Sequence, residues 1–227
     1  MKTPQFIKND NVVLHLLMLI LAAAAVWGLT CGLWSLSGLT EGYYISVAKE
    51  MLANGKSDFR SQSQTLGQQP PLVFWLFALA LKFAGAVSSL APRLGSVFFA
   101  CVTLICTYYC GRRLISPKAG FYSAFILATC PVFMTAAAKV APNMVFAALI
   151  TISITAIITR KPHERAGIVR AVVIWLSLIL AFLSMGLMAP IMIILFIVLF
   201  LLVQGKQLAN EVKALRLVIG ILAGVVI

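Results

Sequence analysis

Apolar residues in this chain of 227 fall into long uninterrupted runs separated by short polar segments, unlike the one-sided stripes of soluble helices. Crossing roughly 30 Å of hydrocarbon takes about 20 such residues, and within lipid only a helix or a closed barrel satisfies every backbone group. Val12 to Leu36, Leu94 to Gly111, Ala119 to Ala138 and Met144 to Thr159 each read as one span. The uncharged stretch from Ala171 to Val203 is too long for one crossing, and Gly186 with Pro190 marks a turn near its middle, so it reads as a tight helical pair. Leu215 to Ile227 is too short to cross, as expected of a truncated chain that ends inside a helix. The expected fold class is all-α: a polytopic membrane helix bundle of about six spans and a partial seventh, a single transmembrane domain over residues 1–227.

Leu72 to Leu81 is apolar for only ten residues before Lys82, which suits an interfacial or re-entrant helix. The basic residues test that reading. If this segment does not cross and the N-terminus is cytoplasmic, twelve Lys and Arg lie inside and six outside, even though the first outside loop is the longest. Letting it cross inverts everything after it and places ten basic residues outside, against the tendency for cytoplasmic loops to be positive. The expected location is therefore the inner (plasma) membrane, multi-pass, with a cytoplasmic N-terminus.

Residues 37–92 then form a long outside loop with juxtamembrane helices, and loops of this length usually carry function. Tyr44, Val47, Ala48, Met51 and Leu52 recur at helical spacing while Glu41, Lys49 and Glu50 lie off that stripe, the pattern of a helix lying along a membrane surface. Asn54-Gly55 ends it, a polar Gln- and Ser-rich stretch follows, and Pro70-Pro71 leads into the short apolar helix.

Composition excludes several classes. The chain is 62% hydrophobic and 11% charged, against about a quarter charged in soluble domains. Its net charge of +12 resides in short loops between apolar runs, where topology and anionic headgroups call for it, so no basic face exists to bind nucleic acid. The five cysteines lie in or beside apolar runs without disulfide or zinc spacing, and His15 and His163 are isolated, so no metal site is expected. The first apolar run is too long for a signal peptide and reads as a permanent anchor.

Several short motifs, in order, resemble the GT-C membrane glycosyltransferases, in the branch of the protein O-mannosyltransferases and lipid A aminoarabinose transferases. Leu39-Thr40-Glu41-Gly42-Tyr43-Tyr44 followed by Ala48-Lys49-Glu50-Met51-Leu52-Ala53-Asn54-Gly55 is similar to that group's first outside loop. Gln69-Pro70-Pro71-Leu72 with Trp75, Arg93-Leu94-Gly95-Ser96, Gly111-Arg112-Arg113-Leu114 with Ala119-Gly120, and Pro142-Asn143-Met144 continue the likeness, which covers about Leu36 to Pro190. The resemblance implies transfer of a sugar from a polyprenyl-phosphate donor to a lipid or protein acceptor, at a site formed by the first loop and the outer helix ends. Displacing phosphate from an anomeric carbon calls for a carboxylate to take the acceptor's proton or hold a metal, and for cations to steady the leaving phosphate.

Five charged positions of that pattern are neutral here. Thr40 stands where the family has its first-loop Asp, Gln68 and Gln69 replace Glu-Lys, Asn143 replaces a second Asp, and Ser184-Met185-Gly186 replaces Thr-Lys-Gly. Glu41 is then the carboxylate left for acid-base work, with the alternative that it favours its helix N-terminus, Thr40 being the cap. Arg93 and Lys139 are candidates to receive a phosphate or, alternatively, interfacial anchors. Tyr43, Tyr44, Phe74 and Trp75 are candidates to stack on sugar or prenyl, although aromatics collect at interfaces in any case. Thr40, Gln69 and Asn143 complete the substrate-binding set by position. The resemblance leaves the cofactor open: the implied family admits a divalent cation, without a visible ligand set here. The implied partners are membrane lipid, a polyprenyl-phosphate sugar and another membrane protein. Two functions follow: a glycosyltransferase of reduced activity, or a non-catalytic scaffold that keeps the prenyl-phosphate groove.

Overall fold

The structure, a computed structural model, describes residues 39–54, 71–84, 90–159 and 168–189, with isolated helical positions at 17, 18, 21, 23, 27, 191, 192 and 195. Among the described residues every regular element is a helix and none is a strand. Seven helices follow in order: α1 (Leu39–Asn54), α2 (Leu72–Ala84), α3 (Leu90–Leu114), α4 (Pro117–Thr129), α5 (Pro131–Ala138), α6 (Pro142–Ile158) and α7 (Ile168–Met185). Most of the expected first span and all of residues 196–227 lie outside the described residues.

Within α3, Arg93–Leu114 is 22 residues long and apolar enough to cross a bilayer unaided. The run from Ala119 to Ala138, expected as one span, is two helices bent by 65°. Pro131 is the cause: it has no N–H to donate and its ring clashes with the preceding turn, so α4 stops and α5 restarts with proline in its first turn. Together α4 and α5 are long and apolar enough for one broken span. Gly186, at φ 62°, closes α7 in the left-handed conformation that glycine adopts without steric cost, its N–H donating to the Phe182 carbonyl at 2.7 Å.

In lipid, burying apolar surface does little to hold helices together, so close backbone approach and interhelical hydrogen bonds matter more. Both are present. The α3–α4 corner is closed by Ser116, whose hydroxyl accepts from the Ala119 amide, with Pro117 in the first turn of α4. Gly111 and Gly120 bring the two backbones into contact there. Helix α6 packs on both α3 and α7. Its Thr155 meets Cys110 of α3 at 3.2 Å, and its Ser153 meets Ser177 of α7 at 2.6 Å.

Helices α1 and α2 pack on each other. Tyr44, Ile45, Val47 and Ala48 pack on Val73, Phe74, Phe77 and Leu81, with Val140 from the α5–α6 link completing the cluster. Val140 joins this pair to the bundle. A second cluster, Val145 and Leu149 of α6 with Ala181 of α7 and Ala189, draws in Leu72, Leu76 and Phe99. The N-terminal ends of α2, α3 and α6 and the C-terminal end of α7 therefore share one end of the molecule.

Candidate functional site

Glu41 lies in the first turn of α1 and is 7% exposed. Its position off the apolar stripe predicts a solvated side chain, and the structure corrects that: the side chain turns into the bundle. One carboxylate oxygen, Oε2, is 3.5 Å from Nη2 of Arg93 on α3, and the other, Oε1, accepts the backbone N–H of Val140 at 3.1 Å. Arg93 is itself 5% exposed. Its guanidinium is paired with the Glu41 carboxylate.

The Val140 amide is available because of local chain geometry. Residues 139–141 link α5 to α6 and lie outside both helices, so this N–H has no helical carbonyl to serve. An acidic side chain from almost a hundred residues earlier satisfies it. The same contact brings Lys139, exposed at the C-cap of α5, and Asn143, exposed in the first turn of α6, close in sequence to the point where α1 docks. Thr40 precedes Glu41 in α1. Positions 40, 41, 93, 139 and 143 thus gather at one end of the bundle. Gln69 lies outside the described residues.

The aromatic candidates are engaged with one another. Tyr44 is buried, its ring 5.6 Å from Phe74 and 6.2 Å from Phe77, while half-buried Tyr43 meets Tyr44 at 5.9 Å and Phe74 at 6.1 Å, both edge-on. These rings fasten α1 to α2. Trp75 is exposed on the opposite side of α2. Two buried hydroxyls also lie in this region, without a chemical signal in the sequence: Ser96, one turn after Arg93, and Ser184, at the end of α7, neither hydrogen-bonded to protein.

The donor set does not suit a divalent cation. The two oxygens of Glu41 face a guanidinium and an amide hydrogen, both of which repel a metal ion, and among the described residues no three His, Cys, Asp or Glu side chains gather. What the arrangement offers is a cationic side chain held in place beside a helix end, with neutral residues at positions 40 and 143, where the resembled pattern has aspartates.

The pattern of the dolichyl-phosphate-mannose-protein mannosyltransferases matches residues 68–227, more than half of the chain. The chain belongs to this family. It is a family of integral membrane glycosyltransferases. The fold is similar to the crystal structure of ArnT from Cupriavidus metallidurans bound to undecaprenyl phosphate, with a TM-score of 0.79 at 20% identity over 93% of this chain. The apo form of the same protein superposes with a TM-score of 0.78 at 20% identity over 92% of the chain. This chain spans 39% of the length of that protein. Among curated proteins compared by sequence, none matches. The matched residues 68–227 include α3 and the α5–α6 link, while α1 precedes them.

Proposed function

We propose that this chain forms the donor-lipid module of a polyprenyl-phosphate-sugar glycosyltransferase and that its own transfer activity is reduced. The observation that carries the reading is the convergence of Glu41, Arg93 and Val140, which assembles a site from the outside loop and the outer helix ends. Cationic Arg93 and Lys139 at that end suit a lipid phosphate. Similarity of fold to a protein whose crystal structure holds undecaprenyl phosphate supports the same ligand class. The excess of basic residues in alternate loops supports six spans, a cytoplasmic N-terminus and a site on the far side of an inner membrane.

Reduced activity follows from chemistry. Threonine at position 40 and asparagine at 143 cannot take a proton from an acceptor near neutral pH. The nearby carboxylate, Glu41, already has one oxygen on Arg93 and the other on the Val140 amide. That occupancy also favours the second reading, a non-catalytic scaffold that retains the lipid groove and serves a partner membrane protein.

A transfer assay separates them. Purified protein supplied with a radiolabelled polyprenyl-phosphate sugar and a lipid acceptor is expected to transfer sugar near background, and Thr40→Asp with Asn143→Asp to raise that rate at least tenfold. Robust transfer by the unaltered chain contradicts reduced activity. No gain in the double variant, with lipid still bound, favours the scaffold.

A further inference from the structure

We infer that Glu41 is a positioning residue: a clamp that sets α1 against α3 and the α5–α6 link, and acts by placement and not by proton transfer. The inference rests on geometry for the clamp itself, and on the functional reading above only for its consequence in transfer.

Three features carry it. First, the two carboxylate oxygens of Glu41 are divided between two elements far apart in sequence, the Arg93 guanidinium of α3 and the Val140 amide of the α5–α6 link. Second, the clamp is buried at both ends, so water does not compete for these contacts as it does at a surface ion pair. Third, the residues next to the clamp are the ones the transfer chemistry concerns. Thr40 is adjacent to Glu41, and Asn143 follows Val140 by three residues across Pro142, whose fixed φ starts α6. Holding 41 to 140 thereby limits how far position 40 can move relative to position 143. The apolar contacts of Val140 with α1 and α2 add packing to the same junction.

A placement role and a proton-transfer role differ in what glutamine does. Gln at position 41 keeps an oxygen that accepts the Val140 N–H but cannot take up a proton; Ala keeps neither. Exchanging the charges, Glu41→Arg with Arg93→Glu, keeps an ion pair and removes the acceptor from α1.

The test is amide hydrogen exchange on the full chain in detergent micelles or nanodiscs, read at the segment containing Val140 and along α1. Because a hydrogen bond to a charged group is worth about a factor of ten or more in population, Glu41→Ala is expected to speed exchange at Val140 about tenfold. Glu41→Gln, which keeps an acceptor for the Val140 N–H but loses the counter-charge of Arg93, is expected to speed exchange at Val140 clearly less than Glu41→Ala, and the charge exchange to remain fast there. Exchange along α6 and α7 is expected to be unchanged in all three. Slow Val140 exchange in Glu41→Ala overturns the clamp, and so does uniform acceleration through α6 and α7, which marks general loss of structure.

A second arm addresses transfer. In the Thr40→Asp, Asn143→Asp background, placement predicts that Glu41→Gln retains most of the recovered activity and Glu41→Ala loses it. Loss in Glu41→Gln with Val140 still protected overturns the claim that Glu41 does not move the proton. If no variant transfers sugar while the exchange pattern holds, the clamp stands and the glycosyltransferase reading fails.

Discussion

Gly111 and Gly120 approach so closely across the α3–α4 corner that a Cβ on Gly111 would fall 2.8 Å from the Cα of Gly120. A Cβ on Gly120 would fall 2.5 Å from the Tyr108 carbonyl oxygen and 2.8 Å from the Arg112 nitrogen, both backbone atoms that cannot turn aside. Gly120→Ala therefore forces the helices apart. The expected cost is about 1–3 kcal/mol, the range for overpacking, read as a lowered unfolding midpoint by tryptophan fluorescence in detergent. Gly42 and Gly95, which have open space around them, serve as controls, and Gly95→Ala is expected to shift the midpoint far less.

The buried ion pair predicts strong coupling. Arg93→Met leaves the Glu41 carboxylate without its counter-charge, and breaking one side of a buried pair costs about 3–5 kcal/mol. Adding Glu41→Gln to Arg93→Met removes the orphaned charge and is expected to recover part of that loss. A double-mutant cycle on unfolding midpoints measures the coupling; strictly additive effects contradict the pairing.

Between α6 and α7 the hydroxyls of Ser153 and Ser177 lie 2.6 Å apart: one donates to the other, which in turn donates to a carbonyl one turn back in its own helix. Removing one hydroxyl leaves the other satisfied. Ser153→Ala is expected to cost only about 0.5–2 kcal/mol, as interhelical hydrogen bonds in membranes do, and Ser177→Ala to add little more once Ser153 is gone.

Gly186 ends α7 at φ 62°, a conformation that costs a side-chain-bearing residue about 1–2 kcal/mol. Gly186→Ala is expected to destabilise by that amount and Gly186→Asn by less, because asparagine tolerates the left-handed region. Equal midpoints for the two variants contradict a role for this turn.

The apolar half of this architecture was legible in the sequence, and the polar half was not. Tyr44, Val47 and Ala48 announce the buried face of α1 by spacing alone, and Gly186 announces the turn that closes α7. Spacing also misled: Glu41 falls off the stripe yet is buried, because its partners are 52 and 99 residues away and no local pattern records such a distance. The pairing of Arg93 with Glu41 goes unannounced for the same reason. The break at Pro131 had a local signal, a proline inside an apolar run, but hydropathy averaged over a span hides it. The backbone amide of Val140 carries no sequence signature at all, since every residue except proline has one, and only the link between α5 and α6 leaves it to be satisfied by a side chain.

Native mass spectrometry of the chain released from membranes tests the central claim most directly, namely that the end where α1 meets α3 and the α5–α6 link receives a polyprenyl phosphate. The expected result is one retained undecaprenyl phosphate per chain, resistant to exchange with excess phosphatidylglycerol and weakened in Lys139→Glu. Retention of ordinary phospholipid alone, with no polyprenyl phosphate even when it is added, would contradict the account.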